Sequence, residues 1–316
     1  MYADDTTIFF NLEDFSSENR TTGVNNELDK INLWLKHNKL SLNIEKTKCM
    51  VFHTKQKSVP IHNFSINNAP IDNVNSFKFL GIVLDCNLSW KNHIDFVTAK
   101  LSKVIGILYK LKNVYPEQAL LSIYYSLFQS HINYGLLLWG KKTDKILKMQ
   151  KKSLRIITGS EYLAHTEPLF KALEILKVED LHNLKLLKFY YNLSYELLPT
   201  YFDCYLEVIN KKPPGNYKLR SSARPVIRMP RTRLVFTESS VLYQLIQLLN
   251  YTYEHQPSIM AKIIEKSHTF KGFSFNVSQL YLQRYSYHLY FCDTEHMMYI
   301  YIYIYGMYKH MNMFVK

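Results

Sequence analysis

The chain has 316 residues, 47% hydrophobic and 21% charged, enough apolar material for a substantial core and normally two domains, which excludes an intrinsically disordered chain. Lys+Arg 39 against Asp+Glu 26 leaves a formal charge of +13, favouring polyanionic partners such as nucleic acid, although charge alone does not separate nucleic acid from an anionic membrane surface. Cys49, Cys86, Cys204 and Cys292 are far apart and form no CxxC pair, so neither a zinc knuckle nor a disulfide framework is supported and a reduced, intracellular setting is expected.

In chain order, the adjacent carboxylates Asp4 and Asp5 precede the apolar run Thr6 to Phe10, the pattern of a β-hairpin tip presenting metal ligands. Two-metal phosphoryl transfer needs clustered carboxylates on rigid backbone, but Asp-Asp also suits an ordinary turn, and the dipeptide alone favours the turn. Val24, Leu28, Ile31 and Leu35 recur at helical spacing, which predicts a helix packed behind the hairpin. Leu40, Leu42 and Ile44 lead into a loop carrying Lys46 and Lys48, after which Cys49 to His53 reads as a strand able to pair beside the hairpin. Phe64, Ile66, Pro70 and Ile71 predict a small hairpin, and Phe77, Phe79, Gly81 and Val83 alternate on one face of a further strand.

The periodicity then changes. Ile94, Val97, Leu101, Val104, Leu108 and Leu111 mark a long amphipathic helix; Pro116 suits the start of another, with an apolar face through Leu120, Tyr124 and Leu127. Between Lys145 and Ile157, at 100° per residue, Lys145, Lys148, Lys152 and Arg155 fall on one side and Ile146, Leu147, Leu154 and Ile157 on the other. A cationic helix face suits a phosphate backbone; a merely solvated face would usually mix signs, and here only Asp144 interrupts the positives. Leu173, Leu176, Leu184 and Leu187 predict a helical core, with His165 and His182 read as surface or capping histidines. Lys211 to Arg233 holds eight Lys/Arg, among them Arg220, Arg224, Arg228, Arg231 and Arg233, no acidic residue and four prolines, the composition of an extended basic arm for backbone contact or of a solvated linker. Tyr299 to Tyr305 alternates Tyr and Ile strictly; residues from about Phe291 onward are expected to be read-through of AT-rich sequence outside the fold. No run of about 18 apolar residues occurs, and no phosphate-cradling Gly-rich loop, so neither a membrane span nor a P-loop enzyme is expected.

The tetrapeptide Tyr2-Ala3-Asp4-Asp5 in front of a strand resembles the catalytic box of reverse transcriptases. The segments Asn38 to Phe52, Phe77 to Asp85, Lys148 to Gly159, His165 to Phe170 and Ala172 to Leu181 are similar in order and spacing to non-LTR retrotransposon reverse transcriptases, a resemblance that runs to about Tyr285 and loosens after Arg233. It implies an α+β fold in which residues 1–90 are the end of a polymerase palm, 91–200 a helical thumb and 201–285 a basic extension; residues 286–316, beyond the resemblance, are expected from their low complexity to be a disordered tail. It implies RNA-directed DNA polymerisation with Mg²⁺ held by Asp4 and Asp5, Tyr2 by the primer terminus, Lys46 assisting pyrophosphate departure, and Phe79, Leu80 and Gly81 gripping the primer, on an RNA template and DNA primer in the nucleus. The family's upstream catalytic aspartate has no equivalent in this sequence, so the chain itself is expected to be an inactive fragment. The alternative is a non-catalytic nucleic-acid-binding remnant or a pseudogene product.

Overall fold

The computed structural model describes residues 7–14, 19–54, 63–210, 227–230, 238–255 and 313–315. Its mixture of many helices with small sheets agrees with the α+β expectation at that coarse level. The chain divides into two compact units, residues 1–93 with 302–316, and residues 94–301.

In the first unit, helix α1 (Arg20–His37) buries Val24, Leu28 and Leu35 of the expected stripe, while Ile31 is only partly buried and the neighbouring Asn32 is buried. Val24 and Leu28 join a core of Leu12, Cys49, Val51, Phe64, Ile66 and Ile71. Each such side chain contributes roughly 1.5–3 kcal/mol on burial. The strands are β1 (Ile8–Phe10), β2 (Lys48–Val51), β3 (Ser65–Ile66), β4 (Ala69–Pro70), β5 (Asp72–Asn73), β6 (Ser76–Phe79), β7 (Ile82–Asp85) and, from the far end of the chain, β8 (Met313–Val315). β2 does not pair with β1. The order is β1-β8-β2-β5, with Phe314 opposite both Phe9 and Met50, so the last strand stands in the centre of the sheet, inside the segment expected to be a disordered tail. The Tyr299–Tyr305 repeat lies outside the described residues.

Both two-stranded sheets are hairpins closed by two-residue turns. Asn67 and Asn68 (φ 51° and 63°) link β3 to β4, and Leu80 and Gly81 (φ 44° and 85°) link β6 to β7. A right-handed strand twist selects turns with positive φ at both central residues, for which Asn and Gly are suited and Leu is not. Gly81 is therefore in a turn, not within a strand as the alternation suggested, because reversing the chain there lets Phe77 face Leu84 and Phe79 face Ile82.

In the second unit, α2 (Lys91–Leu111), whose first turn carries the boundary, buries Ile94, Val97, Leu101, Val104, Ile105 and Leu108. α3 (Glu117–Ile123) begins after Pro116 and runs into a π-helical turn, Tyr124–Gln129, and then α4 (Ser130–Asn133). The wider π turn moves the apolar stripe by one residue, so Tyr124 and Phe128 are buried while Leu127 is 41% exposed. α5 (Leu136–Trp139), α6 (Asp144–Ile157), α7 (Glu167–Ala172), α8 (Val178–Ser194), α9 (Asp203–Asn210) and α10 (Val241–His255) complete the helices used below. Buried Gln150 of α6 ties three of these elements together: its Nε2 donates to the Tyr124 hydroxyl (2.9 Å) and the Leu176 carbonyl (2.8 Å), and its Oε1 accepts from the Val178 N–H (3.1 Å).

His182 corrects the surface reading. It is buried on α8, with Nδ1 3.1 Å from the Leu136 carbonyl oxygen and Nε2 2.8 Å from Gln244 Oε1 of α10. Its helical neighbours carry the apolar stripe, but a histidine on that stripe needs polar partners from outside the helix, and these lie 46 and 62 residues away in sequence.

Candidate nucleic-acid interface

Helix α6 largely follows its periodicity: Ile146, Leu154 and Ile157 are buried with Gln150 and Ser153 and Leu147 is partly buried, while Lys145, Lys148 and Lys152 are exposed. The four cations are not equivalent. Lys145 pairs with Asp95 at 2.6 Å, an exposed contact worth about 1 kcal/mol at most. Arg155 is half-buried and donates through Nε to the Ala164 carbonyl at 2.9 Å, pinning the loop after the helix. Lys148 and Lys152 form no ion pair among the described residues. Nearby, Lys177 holds Glu167 at 2.8 Å; their hydrogen bond lowers the Glu167 carboxyl and raises the Lys177 ammonium, so this carboxylate is engaged elsewhere.

That helix ends in a defined way. Gly159 has φ 63°, its N–H reaches the Ile156 carbonyl, and the Ser160 N–H donates to the Arg155 carbonyl at 2.9 Å, the paired bonds of a Schellman cap. A left-handed residue is required there, and glycine supplies it at no steric cost. Arg228 of the expected basic arm is exposed between Ile227 and Met229, and the Ile227 N–H and carbonyl are both bonded to Asn250 on α10 (2.7 and 2.9 Å).

In the first unit, Lys46 is exposed on a turn held by Asn43. The Asn43 side chain accepts from the Lys46 N–H (3.2 Å), and its carbonyl from the Thr47 N–H and hydroxyl (3.1 and 2.8 Å). Lys48, the next cation, is paired with Asp72. Phe79 is buried, whereas Leu80 and Gly81 are half-exposed at the tip of their hairpin. Tyr2, Asp4, Asp5, Arg220, Arg224, Arg231 and Arg233 lie outside the described residues.

Three Drosophila melanogaster proteins are similar to the chain. The probable RNA-directed DNA polymerase from transposon X-element is 22% identical over 241 residues (74% of this chain, 26% of the relative), and the RNA-directed DNA polymerase from mobile element jockey is 27% identical over 240 residues (74% and 24%). The probable RNA-directed DNA polymerase from transposon BS is 24% identical over 186 residues (57% and 20%). The chain is a relative of non-LTR retrotransposon reverse transcriptases. It spans about a quarter of the length of the first two of these relatives. No family model matches the chain. No solved structure matches it.

This reverse-transcriptase relative gathers no group of three or more His, Cys, Asp or Glu fit for a metal among the described residues, and no described helix is long and apolar enough to cross a membrane. Among the described cysteines thiol chemistry is unsupported as well: burial, aided by Asp72, pushes the Cys49 thiol up to about 11, and burial raises Cys86 and Cys204 too, so none of these three is an activated thiolate. Sequence reasoning missed two features. One is the tip Tyr162–Leu163 beyond α6, 80% and 84% exposed. The other is the loop 85–90, whose backbone wraps the buried Asp85 carboxylate; Asp, Asn and Ser at spacing two were a turn signal available in the sequence.

Proposed function

We propose that the chain is the part of a non-LTR retrotransposon reverse transcriptase comprising the end of the palm (1–90), a helical thumb (91–200), and a basic extension (201–285), and that α6 holds the phosphate backbone of an RNA template or DNA primer. The observation that carries this reading is the exposed pair Lys148 and Lys152 on a helix whose opposite face is buried. They stand about 6 Å apart along the axis and, among the described residues, have no carboxylate to give up before meeting a phosphate. The unit boundary between His93 and Ile94 supports a division near residue 90.

For the catalytic end, the supporting geometry is strand direction. β1 and β2 are both antiparallel to β8 and so run in the same direction, with Ile8 and Cys49 both opposite Val315. Two strand spacings separate the starts of these two strands by roughly 10 Å, a distance that a lysine side chain and a metal-bound nucleotide span together. Asp4 and Asp5 would hold Mg²⁺, which supplies charge neutralisation on the transferred phosphoryl group. Among the described residues Lys46 is in no ion pair, and its ammonium would be presented to a leaving pyrophosphate.

The test has two arms. Replacing Lys148 and Lys152 together by Gln is expected to flatten the slope of log K against log salt for duplex binding by about two units, since each neutralised phosphate contributes about 0.9; an unchanged slope removes α6 from the interface. The purified 316-residue chain, given primer, template, dNTPs and Mg²⁺, is expected to give no extension, because Asp4 and Asp5 alone do not fix two ions in line. Template-dependent extension abolished by Asp4→Asn would overturn that. Salt-dependent binding without extension fits equally a non-catalytic nucleic-acid-binding remnant, and absence of both favours a pseudogene product.

A further inference from the structure

The loop that follows α6 places an exposed aromatic ring beside its cations. Glu161 to Ala164 is a turn closed by the Ala164 N–H on the Glu161 carbonyl (3.1 Å), and Tyr162 and Leu163 are its two central residues, 80% and 84% exposed. The turn is anchored at both ends. The Gly159 cap fixes the exit from the helix, the Thr158 and Ser160 hydroxyls lie 2.7 Å apart, and Arg155 grips the Ala164 carbonyl at 2.9 Å. Arg155 lies on the side of α6 that carries Lys148 and Lys152, so its bond draws the turn against the carboxyl-terminal end of that cationic face. Glu161 and His165 are the titratable groups flanking the tip, both exposed.

An exposed tyrosine is common on protein surfaces, but an anchored one at the end of two lysines that form no ion pair among the described residues has the composition of a single-strand binding surface: cations for the backbone and a π-face for a base. We propose that Tyr162 stacks on an unpaired base of the nucleic-acid strand whose phosphates Lys148 and Lys152 hold, an inference that rests on the reading of α6 above. The occupant is single-stranded nucleic acid, because a duplex keeps its base faces within its own stack. The ring needs no hydroxyl for this, and Phe or Trp serves in its place.

The test uses the full chain with a labelled mixed-sequence single-stranded oligonucleotide and a blunt duplex of the same sequence, titrated at several salt concentrations. Tyr162→Ala is expected to weaken single-strand binding about tenfold with the salt slope unchanged, and duplex binding less than about twofold. Tyr162→Phe and Tyr162→Trp retain wild-type affinity, and the new tryptophan's fluorescence is quenched on binding the single strand. Because the side chain is exposed, Tyr162→Ala should leave the melting temperature unchanged. Wild-type single-strand affinity in Tyr162→Ala, with the slope still flattened by the Lys148 and Lys152 substitutions, overturns the stacking role while leaving α6 as an interface, and points the tip toward a protein partner. Equal losses on single strand and duplex, or loss of affinity in Tyr162→Phe, also overturn it. No salt-dependent binding by the wild-type chain overturns both readings.

Discussion

Replacing Asp85 by alanine is expected to destabilise the first unit by about 3–5 kcal/mol, read as a shift in the urea midpoint followed by tryptophan fluorescence. The side chain is 7% exposed and its two oxygens take four bonds. Oδ1 accepts the N–H groups of Asn87 (3.2 Å) and Ser89 (2.9 Å); Oδ2 accepts the Trp90 N–H (3.1 Å) and the Ser89 hydroxyl (3.1 Å). Leu88 and Trp90 are held at φ 48° and 64°, conformations costly for such side chains and sustained here by the bonds that converge on the carboxylate. Without it the donors lose their acceptor and the strain has no compensation. The effect should travel to β2, since the Cys86 carbonyl accepts the His53 N–H at 3.0 Å and Asn87 Nδ2 donates to the His53 carbonyl at 2.9 Å. Asp85→Asn, which keeps one carbonyl oxygen, should cost less than the alanine. A change below about 0.5 kcal/mol in Asp85→Ala would mean that the loop is held by the packing of Leu88 and Trp90 instead.

Gly140→Ala is expected to cost about 2–4 kcal/mol in the second unit. A Cβ at that position would sit 2.2 Å from His182 Nδ1, 2.5 Å from its Cγ and 2.5 Å from the Leu136 carbonyl oxygen. The ring has no simple escape: Gln244 holds its far nitrogen, and Gln244 Nε2 is itself committed to the Ser239 carbonyl at 2.7 Å. A double-mutant cycle with His182→Ala isolates the clash, and a coupling of about 1 kcal/mol or more is expected. Additive effects would locate the cost at the Leu136 carbonyl.

The same histidine gives the unit a pH signature. Burial lowers the His182 pKa, outweighing the two oxygen contacts that raise it. The unfolded chain then takes up a proton near the ordinary value of about 6.5 while the folded chain does not, so this contribution to stability is fully present above that pH and is lost as pH falls toward the folded value, by at most about 1.4 kcal/mol per pH unit. In the wild-type chain, the stability difference from His182→Gln should shrink over that window.

What local periodicity carries, the sequence determined by itself. The stripes of α1, α2 and α6 are set by side chains a few residues apart, and their predicted buried faces are largely the observed ones. The Phe64–Ile71 hairpin was legible for the same reason, since its Asn-Asn turn is chosen by residues adjacent in the chain. The relationship to non-LTR retrotransposon reverse transcriptases was also readable, because short motifs in a fixed order survive where overall identity is 22–27%.

Tertiary structure decided whatever depended on remote partners. Four cations shared one face of α6 in the sequence, but Asp95, 50 residues away, engages Lys145, and Ala164, beyond the cap, engages Arg155, leaving Lys148 and Lys152 without an ion pair among the described residues. The stripe after Leu120 shifted because a π turn opened around Tyr124, whose hydroxyl is bonded to Gln150 on another helix. His182 became a buried link because Leu136 and Gln244 converge on it. The centre of the first sheet is filled by residues 313–315, and no local pattern near β1 or β2 specifies that partner, because a strand's alternation encodes which face it buries and not which strand lies beside it.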